Sequence, residues 1–215
     1  MASKTKVIPL ASPAQAIPRN TNRSTMTYLS PEEIVAVLKA AREHSIRDWA
    51  MILITYRHGL RASEVCGLKL SDVNLKDQTI RVVRLKGSML TIQPLVAHRG
   101  QPLLDELTAL RTWLKVRPAD GSDFLFTSQK GGKLDRTQFF RLFRTVAESA
   151  GLPKEKRHPH VLKHSLASHL VAENVNLALI RQALGHRSIS STMQYVGTSD
   201  GQAAEAAQAA LMRLY

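Results

Sequence analysis

Three things are scarce in this chain, and each scarcity removes a class of protein. Among 215 residues there is one cysteine, Cys66. No disulfide can form within the chain, which excludes a small bridge-stapled extracellular scaffold, and a lone thiol in an apolar segment suits a reducing compartment. Long apolar runs are missing too. The longest, Trp49 to Tyr56, is eight residues and ends in Arg57 and His58, whereas crossing a bilayer takes about 18. Acid is the third shortage: 17 Asp and Glu stand against 30 Lys and Arg, a net charge of +13 and a pI near 10.3. Such an excess points to a polyanionic partner, either nucleic acid or an anionic membrane surface, and charge alone does not choose between them.

What is present can fold. A hydrophobic content of 44% is enough for a real core, and the length suits one domain of about 100–200 residues with extensions. No internal repeat is visible. The opening MASKTKVIPLASPAQA superficially offers a secretory signal, but its apolar patch is too short and is interrupted by Pro9 and Pro13. Residues 1–27 read instead as a flexible basic arm carrying Lys4, Lys6, Arg19 and Arg23 and no acid.

Beyond the arm the punctuation is clear. In LSPEEIVAVLKAA, Ser30 caps a helix, Pro31 takes its first position, Glu33 completes a capping box and Leu29 staples to Ile34. A second helix, apolar nearly all round, is expected over 48–58 and stops at Gly59. A third, short one begins near Arg61. QTIRVVRLK and SMLTIQPL, joined around Lys86-Gly87-Ser88, predict a β-hairpin over 78–95, the one sheet of any size. An amphipathic helix through LLDELTALRTWL follows, then a short apolar DFLFT and a loop at Gly131-Gly132. Helices over 136–149, 160–173, 176–184, 188–196 and 201–213 complete a mainly α chain with a small antiparallel β-sheet.

The densest chemistry is HPHVLKHSLASHLV, with four histidines and one lysine. On a helix His160 and His164 lie one turn apart, a spacing able to hold zinc. Cys66 is almost a hundred residues upstream, however, and Glu173 is at the far end of the helix, so further ligands are lacking and packing or capping histidines are the commoner case. The alternative is phosphate handling. ALGHRSISSTMQY places Tyr195 nine residues after His186; together with Gly59-Leu60-Arg61-Ala62-Ser63-Glu64 and His160-x-x-Lys163-His164, in that order and with a lysine-bearing hairpin between the first two, the pattern resembles the tyrosine recombinase (phage integrase) family over residues 28–200. HGLRASEVCGLKLSDVNL, RLKG and HPHVLKHS look most like its short fimbrial phase-variation recombinases.

The resemblance implies that family's catalytic-domain fold and a site-specific recombinase that cuts and rejoins double-stranded DNA at paired sites through a 3′-phosphotyrosine, giving inversion, integration or excision. Attack by a phenol of pKa about 10 on a phosphodiester needs cations on the nonbridging oxygens and an acid for the departing 5′ oxygen. Tyr195 would be the nucleophile, Arg61 a grip on phosphate and Lys86 the general acid. His160 and His186 would contact phosphate or move the tyrosine proton. Glu64 would hold Arg61, a solvated helix charge being an equal alternative, and His164 would buttress the site, with His158 and His169 peripheral. No metal, ATP or other cofactor is implied.

Position 163 departs from the pattern, which carries arginine there. Lysine keeps the charge and loses the planar two-pronged fork. A working variant, a site compensated by another residue, or a decayed catalyst kept as a DNA-binding accessory protein all remain open. About 27 residues precede the catalytic region, so no separate N-terminal DNA-clamping domain is expected. Residues 201–215 form a helix that packs on its own subunit or docks on a neighbour. A homotetramer on DNA, monomeric when free, with DNA-bending accessory proteins and a cytoplasmic, nucleoid-associated location, completes what the resemblance implies.

Overall fold

The computed structural model describes residues 27–84, 90–186, 188, 190–193, 195, 208, 211 and 212. Helix α1, Pro31–His44, begins as its sequence demands: Ser30 Oγ accepts from Glu33 N, and the Glu33 carboxylate accepts from Ser30 N at 2.8 Å. Its apolar stripe, Ile34, Val37, Leu38 and Ala41, is buried. Helix α2, Ile46–Arg57, starts two residues before the expected Asp48 because Ser45 is the cap, accepting from Asp48 N. Residues from Trp49 to Thr55 are all buried, so α2 is the central rod of the core. Gly59, at φ +57°, turns the chain into α3, Ala62–Val65, with Arg61 as N-cap.

A hairpin forms as expected from β2, Thr79–Val82, and β3, Thr91–Pro94, antiparallel with Arg81 opposite Ile92. The sheet has a third strand that was not anticipated, β1, Val73–Asn74, paired with β2. Two residues are too few to show an alternation; the turn after it is made by Asn74 Oδ1, which accepts from Lys76 N and Asp77 N. Helix α4, Glu106–Val116, is capped by Asp105, and the residues expected to open it, Leu103 and Leu104, belong to a tight 3-10 turn instead. The DFLFT stretch makes two single bridges, Phe124 with Lys69, just after α3, and Thr127 with Lys133 in the loop that follows.

Helix α5, Arg136–Ser149, has the anticipated bounds; α6 is His160–Ala172 and α7 is Leu177–Leu184, capped by Asn176. Helix α8, Ser190–Met193, is shorter than the expected 188–196. The helix expected over 201–213 lies almost wholly outside the described residues. One large core unites α1 to α6 with the sheet. A second, small cluster of Ala167, Ile180 and Leu184 lies between α6 and α7, and Tyr195 packs against it. Among the described residues no helix is long and apolar enough to cross a membrane.

Candidate active site

One half of the site is built from the turn that ends α2. A Cβ on Gly59 would come within 2.6 Å of Leu184 Cδ2, so the positive φ and the close packing of α7 both require glycine there. The chain then presents Arg61, whose backbone N donates to Glu64 Oε2 at 2.8 Å and whose Nη1 donates to Glu64 Oε1 at 2.8 Å. Glu64 is 4% exposed, which overturns the solvated-charge alternative. Burial by itself would raise its carboxyl pKa; the hydrogen bond from the Arg61 backbone and the charge of Arg84 outweigh that and hold it below the usual range.

Arg84 is the residue that the sequence reading missed. Its side chain is fully buried, and Nη1 donates to Gly59 O at 3.0 Å and Glu64 Oε2 at 3.3 Å, while Nη2 donates to His58 O and Ala183 O at 2.8 Å each. A signal existed. Alternation along β2 buries Ile80 and Val82, and one more step of two puts position 84 on the same inward side.

The other half is carried by α6 and α7. Lys163, 6% exposed, donates from Nζ to Leu184 O at 2.9 Å. Burial, reinforced by Arg84 and Arg61 and opposed by Glu64, pushes its pKa down to about 7. One residue on, His164 Nδ1 lies 2.7 Å from the Tyr195 hydroxyl. Burial, then His160, His158 and Lys163, lower His164 to about 4. Gly185, left-handed at φ +63°, ends α7 and delivers His186, whose Nδ1 is 3.0 Å from Thr192 Oγ1. His186 is likewise lowered to about 4, chiefly by burial and then by Lys163, Arg61, Arg84 and His164.

Arg61, Glu64, Lys163, His164, His186 and Tyr195 are therefore brought together from four separate stretches. His160 opens α6 at the exposed rim and is near enough to His164 to oppose its protonation. His169 lies apart and is structural, bonded to the Tyr56 hydroxyl at 2.8 Å and Leu29 O at 2.9 Å. Lys86 and the arm cations Lys4, Lys6, Arg19 and Arg23 lie outside the described residues. No group of three or more His, Cys, Asp and Glu among the described residues is arranged to hold a metal ion.

The model of the phage integrase family matches residues 27–202. The chain belongs to that family. This integrase-family chain is 38% identical over 180 residues to type 1 fimbriae regulatory protein FimB of Escherichia coli (strain K12), a match covering 81% of this chain and 86% of FimB. FimE of the same strain is 33% identical over 182 residues, covering 82% and 88%. A crystal structure of the XerH site-specific recombinase bound to its difH substrate, a pre-cleavage complex, superposes with a TM-score of 0.69 at 26% identity, covering 85% of this chain and 54% of XerH. The integrase-family chain is a site-specific tyrosine recombinase, and nothing in these likenesses favours a decayed accessory protein.

Proposed function

We propose that this recombinase cuts and rejoins duplex DNA through Tyr195, as the family resemblance implies. The observation that carries the reading is the 2.7 Å contact of the Tyr195 hydroxyl with His164 beside the cationic groups of Lys163, Arg84 and Arg61, the two arginines tied together by Glu64. Tyr195 Oη attacks phosphorus and the bond from phosphorus to the 5′ oxygen breaks. The phosphoryl group is left on tyrosine as a 3′ ester, and the 5′ oxygen departs with a proton. Arg61 and Lys163 bear on the nonbridging oxygens and meet their charge.

His164 holds the phenol at 2.7 Å and takes its proton on Nδ1 as Oη attacks. A neutral imidazole lowered to about 4 is a poor acceptor for a phenolic proton until the negative phosphate arrives and raises its basicity. His186 donates to phosphate, His160 serves the rim, and Lys86 protonates the leaving oxygen, as in the family. DNA is the partner, and the difH substrate bound to the XerH site-specific recombinase supports that reading. The likeness to FimB and FimE favours inversion of a DNA segment over integration or excision. The arm of residues 1–27 follows the DNA backbone, residues 28–200 form the catalytic domain, and residues 201–215 dock on a neighbour in a tetramer assisted by DNA-bending proteins, in the cytoplasm at the nucleoid.

The test is capture and sequencing of DNA covalently bound to the protein in its own host, beside Tyr195→Phe. Adducts at a few defined sites that vanish in the variant are expected, with noncovalent DNA binding retained. Noncovalent enrichment without adducts in the unmodified protein refutes the assignment.

A further inference from the structure

Arg84 touches both halves of the site, and neither its placement nor its burial is needed for the chemistry as derived so far. Its guanidinium spans four acceptors on three segments: His58 O and Gly59 O at the end of α2, Glu64 Oε2 in α3, and Ala183 O near the end of α7. Lys163 holds the very next carbonyl, Leu184 O. Two buried cations thus bind consecutive carbonyls at the negative end of α7, where a helix leaves such groups without intrahelical partners. Immediately beyond is the Gly185 turn that carries His186.

Arg84 is fitted closely there. A Cβ on Gly185 would stand 2.7 Å from Arg84 Nε and 2.9 Å from its Cδ and Cγ. Nε has no hydrogen-bond partner among the described residues, although a buried donor left unsatisfied is costly. The arrangement tolerates that cost because the two Nη atoms make all the connections. On the pocket side, Glu64 is the carboxylate that fixes Arg61.

We propose that Arg84 is a positioning residue for the recombination reaction: through Glu64 it sets the Arg61 guanidinium, and through Ala183 O it sets the turn bearing His186, so that one buried side chain fixes the spacing of the two halves around the phosphate. The inference rests on the reading of the site given above. It also supplies a physical answer to lysine at position 163. An ammonium lacks the planar fork that can hold phosphate and several carbonyls at once; with Arg84 on Ala183 O, Lys163 has a single α7 carbonyl, Leu184 O, to hold besides supplying charge.

The experiment uses the full chain and a synthetic duplex bearing a site captured on the unmodified protein, nicked beside the scissile phosphate so that cleavage traps the adduct. Arg84→Met and Arg84→Lys are compared for trapping rate at saturating protein, noncovalent affinity for the duplex, far-UV circular dichroism and, without DNA, the nuclear magnetic resonance signals of the His186 ring. Displacing a catalytic group by about 1 Å can cost about 100-fold in rate, so that loss is expected for Arg84→Met with affinity and helicity retained. Arg84→Lys is expected to recover part of the rate, since it keeps the charge and can reach one or two of the four acceptors. His186 signals are expected to move in both.

Both variants trapping adduct at the unmodified rate overturns the proposal. So does a loss of rate matched in both by loss of fold and affinity, which makes Arg84 a core strut only. If the unmodified protein itself traps no DNA, the Tyr195 reading fails separately, and unchanged His186 signals in the two variants then decide against Arg84.

Discussion

Burying the ammonium of Lys163 has a cost whose size and pH dependence follow from its surroundings. Its pKa is lowered from 10.5 to about 7, which corresponds to about 5 kcal/mol by which the folded protein disfavours the charged form. An unfolded lysine keeps its proton to about pH 10, so between about pH 7 and that point the unfolded chain binds more protons than the folded one, and stability rises with pH. Below about pH 7 the amine is charged in both states and the penalty is felt in full. Replacing Lys163 by methionine removes the titration while filling much the same space. Urea denaturation of both proteins at about pH 6 and about pH 9 is expected to show the lysine protein gaining about 2–3 kcal/mol on the methionine variant as pH rises. A difference that stays flat over that range, or shrinks, refutes the argument that burial and the two arginines depress this amine.

The same group links pH to DNA. A phosphate beside Lys163 favours its charged form, so above about pH 7 binding takes up a proton, and affinity is expected to fall with pH by up to about tenfold per pH unit relative to Lys163→Arg; equal slopes in a fluorescence titration contradict this. Glu64→Gln leaves Arg61 and Arg84 without a buried anion and should cost about 3 kcal/mol by denaturation, whereas a loss below about 0.5 kcal/mol, the surface range, means that the pair is not buried in solution. Ser165→Ala removes the acceptor of Leu29 N, bonded at 2.8 Å, and should destabilise by about 1–3 kcal/mol and speed proteolysis near Tyr28. Burial pushes the Cys66 thiol up to about 12, so thiol reagents at about pH 8 should label it only as fast as the chain unfolds; rapid labelling of folded protein contradicts that burial.

Much of this was legible in the sequence because local rules coincide with tertiary ones. The Ser30-Pro31-Glu33 start, the Gly59 stop, the hairpin and the bounds of α5 all follow from caps, turn residues and period. What was missed depends on distant partners. Strand β1 exists only because β2 pairs with it, and α2 starts at Ile46 because Ser45, rather than a polar residue nearer Asp48, accepts the first free N–H. Glu64 reads equally as a surface charge until Arg61 and Arg84 are seen to enclose it. Arg84 was readable from the alternation of β2, but an inward arginine is credible only when four acceptors from elsewhere in the chain surround it. Lys163 stands out in the sequence as a departure; its displaced pKa is a product of burial and neighbours that no spacing reveals.

Leu29 is fully buried, with its N–H bound to Ser165 Oγ and its carbonyl to His169 Nε2, at 2.8 and 2.9 Å. Both partners sit on α6, the helix that also bears Lys163 and His164. Its backbone is thus riveted to the shaft that carries the reaction groups, as a bell rope is tied to its wheel. The chain at Tyr28 is one residue from two side-chain hydrogen bonds to that shaft, at the N–H and the carbonyl of Leu29.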